Sequence, residues 1–137
     1  SIFFGYSATN IDPTNDRFTF KNADIHINGT PLLENMSPTY FHTVQNYYKS
    51  KYGKTDFRVD TEDLMYTRYF AYHFGLNVSE YNPSGTCNFS RLDNAKLIIR
   101  GAEKGSFRGD QKDIYVYAVN YNVLRIKDGL AGILFGN

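Results

Sequence analysis

The sequence holds one cysteine, no tryptophan, four prolines and almost no charge imbalance, with 15 Lys+Arg against 14 Asp+Glu in 137 residues. Each shortage excludes something. A lone thiol, Cys87, can form neither an intrachain disulfide nor a cysteine-based zinc site, so stability has to come from burial. A domain of this length removes roughly two-thirds of its unfolded surface from water, which suffices for a core. A formal net charge of +1 leaves no cationic surplus to displace the counterions of a nucleic acid or to hold the chain on an anionic membrane. No run approaches the ~18 apolar residues of a membrane-spanning helix, and the opening has neither a basic n-region nor a small-residue cleavage site. Glycine-rich phosphate loops are absent, as are internal repeats and low-complexity tracts.

What the chain has in excess is aromatic rings, 12 Tyr and 11 Phe or 17% of residues. Flat rings pack well across a pleated surface, so this moves the expectation toward β structure. The opening run Ser1-Ile-Phe-Phe-Gly-Tyr6 starts on apolar aromatics with no initiator Met, which is how the inside of a longer polypeptide looks. We expect a fragment or a processed product.

Strands are expected over Ser1–Tyr6, Phe18–Phe20 and Ala23–Ile27, the last ending in Asn28-Gly29, which supplies the positive-φ positions of a tight turn. Ser37-Pro38 then opens a helical pattern with Tyr40, Phe41, Val44, Tyr47 and Tyr48 on its apolar positions. That helix is predicted from about Pro38 to Tyr52, with Lys49 and Lys51 at its negative end and Gly53 closing it. Further strands are expected over Leu64–Leu76, Cys87–Leu92, Ala95–Arg100 and Ile114–Ile126. Unbroken, the last would be too long, so a bend is predicted near Asn120-Tyr121-Asn122. Many short strands, one surface helix and no second composition block predict an all-β antiparallel sandwich in a single domain, 1–137.

Side chains that could carry chemistry are sparse. His26, His42 and His73 stand too far apart for a clustered metal site, and His73, on an aromatic strand, reads as a hydrogen-bonded packing residue. Asp60, Glu62 and Asp63 lack the spaced frame of a calcium loop. Arg108-Gly109-Asp110 reads as a turn, and Cys87 has no neighbouring base to make it a nucleophile. No metal, no cofactor and no enzyme activity are expected. Four N-x-[ST] sequons occur, at Asn28, Asn35, Asn77 and Asn88; two are followed by Pro and Asn88 falls in an expected strand, which leaves Asn77 as the glycosylation candidate.

The segment Tyr81-Asn-Pro-Ser-Gly-Thr-Cys-Asn-Phe-Ser-Arg-Leu-Asp-Asn94 resembles the P-S-G-x-x-N-x-S-R-[LI]-[DT]-N signature of nucleocytoplasmic large DNA virus major capsid proteins, the family of iridovirus, phycodnavirus and mimivirus shells. Ile114-Tyr-Val-Tyr-Ala-Val-Asn-Tyr-Asn-Val-Leu-Arg-Ile126 followed by Lys-Asp-Gly-Leu-Ala-Gly is similar to that family's final strand. Leu32–Tyr48 and Phe3-Phe4-Gly5 resemble stretches upstream, and the matches come in the family's order. The resemblance implies a jelly-roll sandwich with one short surface helix, the C-terminal half of a double jelly roll whose N-terminal jelly roll and first strands are missing. It implies a structural protein of the virion, assembled in the host cytoplasm, in which three copies form a pseudo-hexagonal capsomer of an icosahedral shell. The partners it implies are the protein itself as a homotrimer, neighbouring capsomers and minor capsid proteins, with glycans as a further candidate and no nucleic acid.

Within the signature, Pro83 and Gly85 are expected to shape a turn, and Asn88, Ser90, Asp93 and Asn94 to organise a strand-to-strand corner, the Asn and Asp side chains bonding to backbone. Arg91 can pair with a carboxylate there or across a subunit boundary, the pairing within the domain being the default. A carbohydrate-binding jelly roll is the alternative, because Tyr-rich loops with Asn and Asp are what sugar recognition uses.

Overall fold

The computed structural model describes residues 1–7, 18–50, 69–101, 103–104 and 113–135. In the first third of the chain, β1 (Ile2–Ser7), β2 (Phe18–Thr19) and β3 (Asn22–Ile27) form where aromatic and β-branched residues concentrate. Asn28 and Gly29 take φ of 51° and 76°, the paired left-handed positions of a type I′ turn, and send the chain back as β4 (Thr30–Met36). The sequence reading has no strand at β4, where Pro31 and three polar residues interrupt the pattern. Among the described residues β4 pairs only with β3, and an edge strand tolerates a residue that cannot donate to the ladder.

The β3–β4 register shifts twice around Ile25. The buried Asp24 carboxylate sits at this irregularity: Oδ1 accepts from the Asn35 backbone N–H at 2.7 Å, and Oδ2 takes the Arg100 guanidinium at 2.7 Å. The Asn35 hydrogen bond first, then Arg100, holds the Asp24 carboxyl below its ordinary range despite its burial.

The helical segment starts after Ser37, as predicted, but is built differently. Residues 40–44 form a π turn, closed by the Gln45 N–H on the Tyr40 carbonyl, and only Gln45–Lys49 is regular α-helix, α1. The extra residue in the π turn rotates everything after it by roughly 100° about the axis. Phe41, before the slip, is fully buried, whereas Tyr47 and Tyr48 point outward, Tyr48 at 75% exposure, and Gln45 and Asn46 take the inner face. The helix ends at Lys49, before the predicted Tyr52: Ser50 is already extended, and the Lys49 carbonyl accepts from the Val78 N–H at 2.8 Å.

Downstream, the strand expected over Leu64–Leu76 forms only as β5 (Tyr69–Tyr72): residues 64–68 lie outside the described residues, and 73–76 leave the ladder in a bend. Cys87–Leu92 holds no strand; Phe89–Arg91 is a 3-10 turn instead. β6 (Ala95–Arg100) forms as expected, β7 (Glu103–Lys104) follows, and the last expected strand divides into β8 (Asp113–Ala118) and β9 (Leu124–Lys127) around the predicted bend. Asp128 and Gly129, at φ of 52° and 76°, turn β9 into β10 (Leu130–Ile133). Asp60, Glu62, Asp63 and Arg108-Gly109-Asp110 lie outside the described residues.

All strand pairings among the described residues are antiparallel. One sheet has the order β5-β1-β8 and a second β4-β3-β6, with β2–β7 and β9–β10 as two-stranded ribbons. The two larger sheets and the helical segment share one core. Phe4 of β1 is at its centre, with ring centroids 5.4 Å from Phe41, 5.5 Å from Phe70 and 6.0 Å from Phe20. Ala23 and Ile25 close it from β3. Tilted and edge-to-face contacts of this kind add to the area term, which is about 1.5–3 kcal/mol for each fully buried phenylalanine.

Candidate functional site

Two features lie outside the core and the regular ladders: the connection from β5 to β6, which carries the capsid-like signature, and the surface of β8–β10.

The connection runs over residues 73–94 with almost no regular structure, yet it is tied down along its length. Ser84 Oγ accepts from the Leu76 and Asn77 backbone N–H groups at 3.1 and 3.0 Å and donates to the Asn77 carbonyl at 3.2 Å. Gly85 lies against the chain it crosses: a Cβ there would stand 2.9 Å from the Phe74 carbonyl oxygen and 3.2 Å from Gly75 Cα, so only glycine fits without backbone movement. Asn77 Oδ1 accepts from the Ser79 N–H at 3.1 Å, and the Ser50 and Ser79 hydroxyls lie 3.2 Å apart. Further on, Asn88 caps the 3-10 turn, its Oδ1 accepting from Ser90 N at 3.1 Å and Ser90 Oγ at 2.5 Å. Phe89 stacks edge-on against Phe74 at 5.7 Å.

The end of the signature works through backbone. Asn28 Oδ1, at the tip of the β3–β4 hairpin, accepts from the Asp93 and Asn94 N–H groups at 3.1 and 3.3 Å, while Asn28 N–H donates to the Asn94 carbonyl at 2.8 Å. Asp93 and Asn94 were expected to bond through their side chains; those side chains are exposed and take no hydrogen bond among the described residues, and the capturing side chain is Asn28. Asn28 and Ser84 are the anchors that sequence reasoning missed. Asn28 is legible as a turn residue, but its partner lies 65 residues away. Pro83 is exposed in the bend beside Ser84. Arg91 is exposed, and among the described residues it forms no ion pair, so the pairing within the domain expected for it is not found there. Tyr81, at 100% exposure, and Leu76 stand out from the same braced loop.

From Ile114 to Phe135 every residue is exposed. β8 is apolar on both faces, with Tyr115 and Tyr117 stacked 6.2 Å apart on one and Ile114 and Val116 on the other, and its only neighbour among the described residues is β1. Ile126, Leu130 and Ile133 extend the apolar surface along the β9–β10 ribbon. Contiguous exposed apolar surface is the character of interaction sites. No group of three His, Cys, Asp or Glu side chains comes together among the described residues. Burial raises the Cys87 thiol above its ordinary value, which keeps it protonated near neutrality.

Comparison with known proteins fits this picture. Residues 4–132 match the family described as large eukaryotic DNA virus major capsid protein. The chain is 37% identical over 117 residues to the major capsid protein of Chrysochromulina ericina virus, covering 84% of this chain and 18% of that protein. It is 31% identical over 131 residues to the major capsid protein of Pyramimonas orientalis virus, covering 87% and 32%. Among solved structures it resembles PBCV-1 VP54, fitted into a reconstruction of the virophage Sputnik, with a TM-score of 0.65 and 28% identity over 86% of this chain and 30% of that one. A quasi-atomic model of the PBCV-1 virus capsid matches equally, at TM-score 0.65 and 27% identity over 90% of this chain and 32% of that one. The chain thus spans about a fifth to a third of the length of these relatives, and its fold is that of their jelly-roll sandwich. By sequence match and by fold, the chain belongs to the major capsid protein family of large eukaryotic DNA viruses.

Proposed function

We propose that this chain is the C-terminal jelly roll of a shell-forming polypeptide, which acts as a homotrimer forming pseudo-hexagonal capsomers of an icosahedral virion. The observation that carries this reading is the apolar surface of β8–β10, exposed on a chain that spans at most about a third of its relatives. In the reading, the remainder of the polypeptide and neighbouring copies cover that surface, so burial between units replaces an active site. Arg91 and Tyr81, displayed on the braced loop, are the side chains offered to neighbours: tyrosine and arginine are enriched where protein surfaces meet, and an Arg can pair a carboxylate bidentately. Minor capsid proteins are the further partners, and Asn77, whose amide nitrogen lies at the surface 3.4 Å from Glu80 Oε1, is the site proposed for a glycan. Assembly in the host cytoplasm completes the proposal. A net charge of +1 fits closure by surface burial better than by attraction to a genome. The family match favours this reading over carbohydrate binding.

The test is native mass spectrometry of the protein from virions. A trimer of chains far heavier than 15.8 kDa is expected; a lone 15.8 kDa chain would overturn the proposal.

A further inference from the structure

His73 is 1% exposed and is the point where three elements meet. Its backbone N–H donates to Gln45 Oε1 at 3.1 Å and its carbonyl accepts from Lys49 Nζ at 2.7 Å, so α1 grips the end of β5 from both sides. The ring continues the seam. Nε2 lies 2.9 Å from Asn46 Oδ1 and Nδ1 lies 2.9 Å from Ser1 Oγ, while Phe3 of β1 packs edge-on at 5.7 Å. Asn46 Nδ2 donates to the His42 carbonyl at 2.6 Å, which fixes Oδ1 as the atom facing the imidazole. An acceptor there requires the hydrogen on Nε2, and Nδ1 is left to accept from the Ser1 hydroxyl. The network is complete with a neutral ring, and although the Ser1 hydroxyl could turn to accept from Nδ1, no carboxylate among the described residues stands there to compensate the charge of a second proton.

The charge that acts on the ring makes protonation worse: Lys49 on α1 is cationic, Gln45 and Asn46 are uncharged, and no carboxylate among the described residues acts on the ring. Beyond them stand the Cys87 thiol and the Tyr72 phenol, both pushed toward their neutral forms by burial. We propose that His73 is an acid-sensitive latch, which fastens β1 and α1 to the end of β5 while neutral and releases that seam when protonated. Burial first, then Lys49, lower its pKa below the ordinary 6.5.

The sign follows from linkage. The opened seam exposes a histidine that binds a proton near pH 6.5, the closed seam one that binds it only at lower pH. Closure is therefore at full strength above pH 6.5 and weakens as pH falls below it. At pH 4.5 the opening equilibrium should be raised on the order of tenfold or more over pH 7 by this group alone. This device acts within one copy and does not depend on how copies assemble.

The test is hydrogen exchange read by mass spectrometry on the full-length capsid protein, comparing wild type with His73→Gln at pH 7 and pH 4.5, each pH compared separately so that intrinsic exchange rates cancel. Gln can donate at one end and accept at the other but cannot take the proton. Peptides covering residues 2–7, 45–50 and 69–74 should lose protection on acidification on the order of tenfold or more in wild type relative to the variant. Equal pH dependence in the two proteins would overturn the latch. Should His73→Gln fail to fold, Asn46→Asp supplies the opposite arm: a carboxylate on Nε2 stabilises the imidazolium, so the seam should resist acid better than wild type, and unchanged acid sensitivity would also overturn the proposal.

Discussion

The half of the molecule built on β1, β3, β5 and the helical segment and the tail built on β8–β10 draw on the same residues, phenylalanine, tyrosine, isoleucine and valine, and treat them in opposite ways. In the first, Phe4, Phe20, Phe41 and Phe70 vanish into a shared core. In the second, Tyr117, Ile126, Leu130 and Ile133 all face outward. Composition alone does not separate these fates; what differs is whether a second layer lies over the strand. β1 has β5 and β8 beside it and Phe41 and Phe20 above Phe4, while β8 has only β1 among the described residues. In the reading proposed above, the apolar tail is half of an interface that the remainder of the polypeptide or neighbouring copies complete.

Substitutions can break or sharpen that contrast. The largest effect is expected from Phe41→Ala or Phe4→Ala, which should lower unfolding free energy by about 3–5 kcal/mol in denaturant titrations, because the cavity left among the other rings cannot collapse. Gly85→Ala comes next, at about 1–3 kcal/mol by the same titration, since the added methyl meets the Phe74 carbonyl and Gly75, both backbone. Asn28→Gly keeps the left-handed turn and removes only the acceptor for Asp93 and Asn94; a loss of about 1–2 kcal/mol is expected, together with faster hydrogen exchange at those two amides. Leu130→Ser or Ile126→Ser on the tail should change the stability of the chain by less than about 0.5 kcal/mol, and yet reduce assembly of the full-length protein by size-exclusion chromatography. A large loss of chain stability from either would show that the tail is already part of a core. Arg100→Leu should raise the Asp24 carboxyl pKa as followed by NMR. The Asp24 contribution is present above about pH 4 and lost as the pH drops through its lowered folded value, so acid unfolding of this variant should begin at a higher pH.

The parts of the fold legible in the sequence are those whose cause is local. Alternation placed β3, apolar and aromatic runs placed β1, β6 and β8, Ser37-Pro38 placed the helix start, and Asn120-Tyr121-Asn122 placed the break between β8 and β9. The parts that were not legible depend on distant residues. β4 is a strand because β3 offers it an edge, despite Pro31. The π turn obeys no simple spacing rule, and it turned Tyr47 and Tyr48, read as core, to the outside. Cys87–Leu92 alternates like a strand but finds no ladder, and Asn88 folds it into a turn. At the signature, Gly85 and Asn88 could be read as conformational residues, whereas the clamp by Asn28 spans 65 residues of sequence. For His73, burial and hydrogen bonding were foreseeable, but partners 27 and 72 residues away were not.

β1 carries a further consequence. On one side it pairs with β5 and on the other with β8, whose partner residues lie about 110 positions later in the chain. A ribosome adds roughly 5–20 residues per second, so one edge of β1 waits on the order of 5–20 s for its last neighbour to be made. Throughout that interval an aromatic strand presents open backbone donors and acceptors in a cell that is synthesising the same chain many times over. The yield of correctly folded shell protein is therefore set in part by a race between the emergence of β8 and the encounter of two nascent β1 edges, and it should respond to translation speed and to copy number.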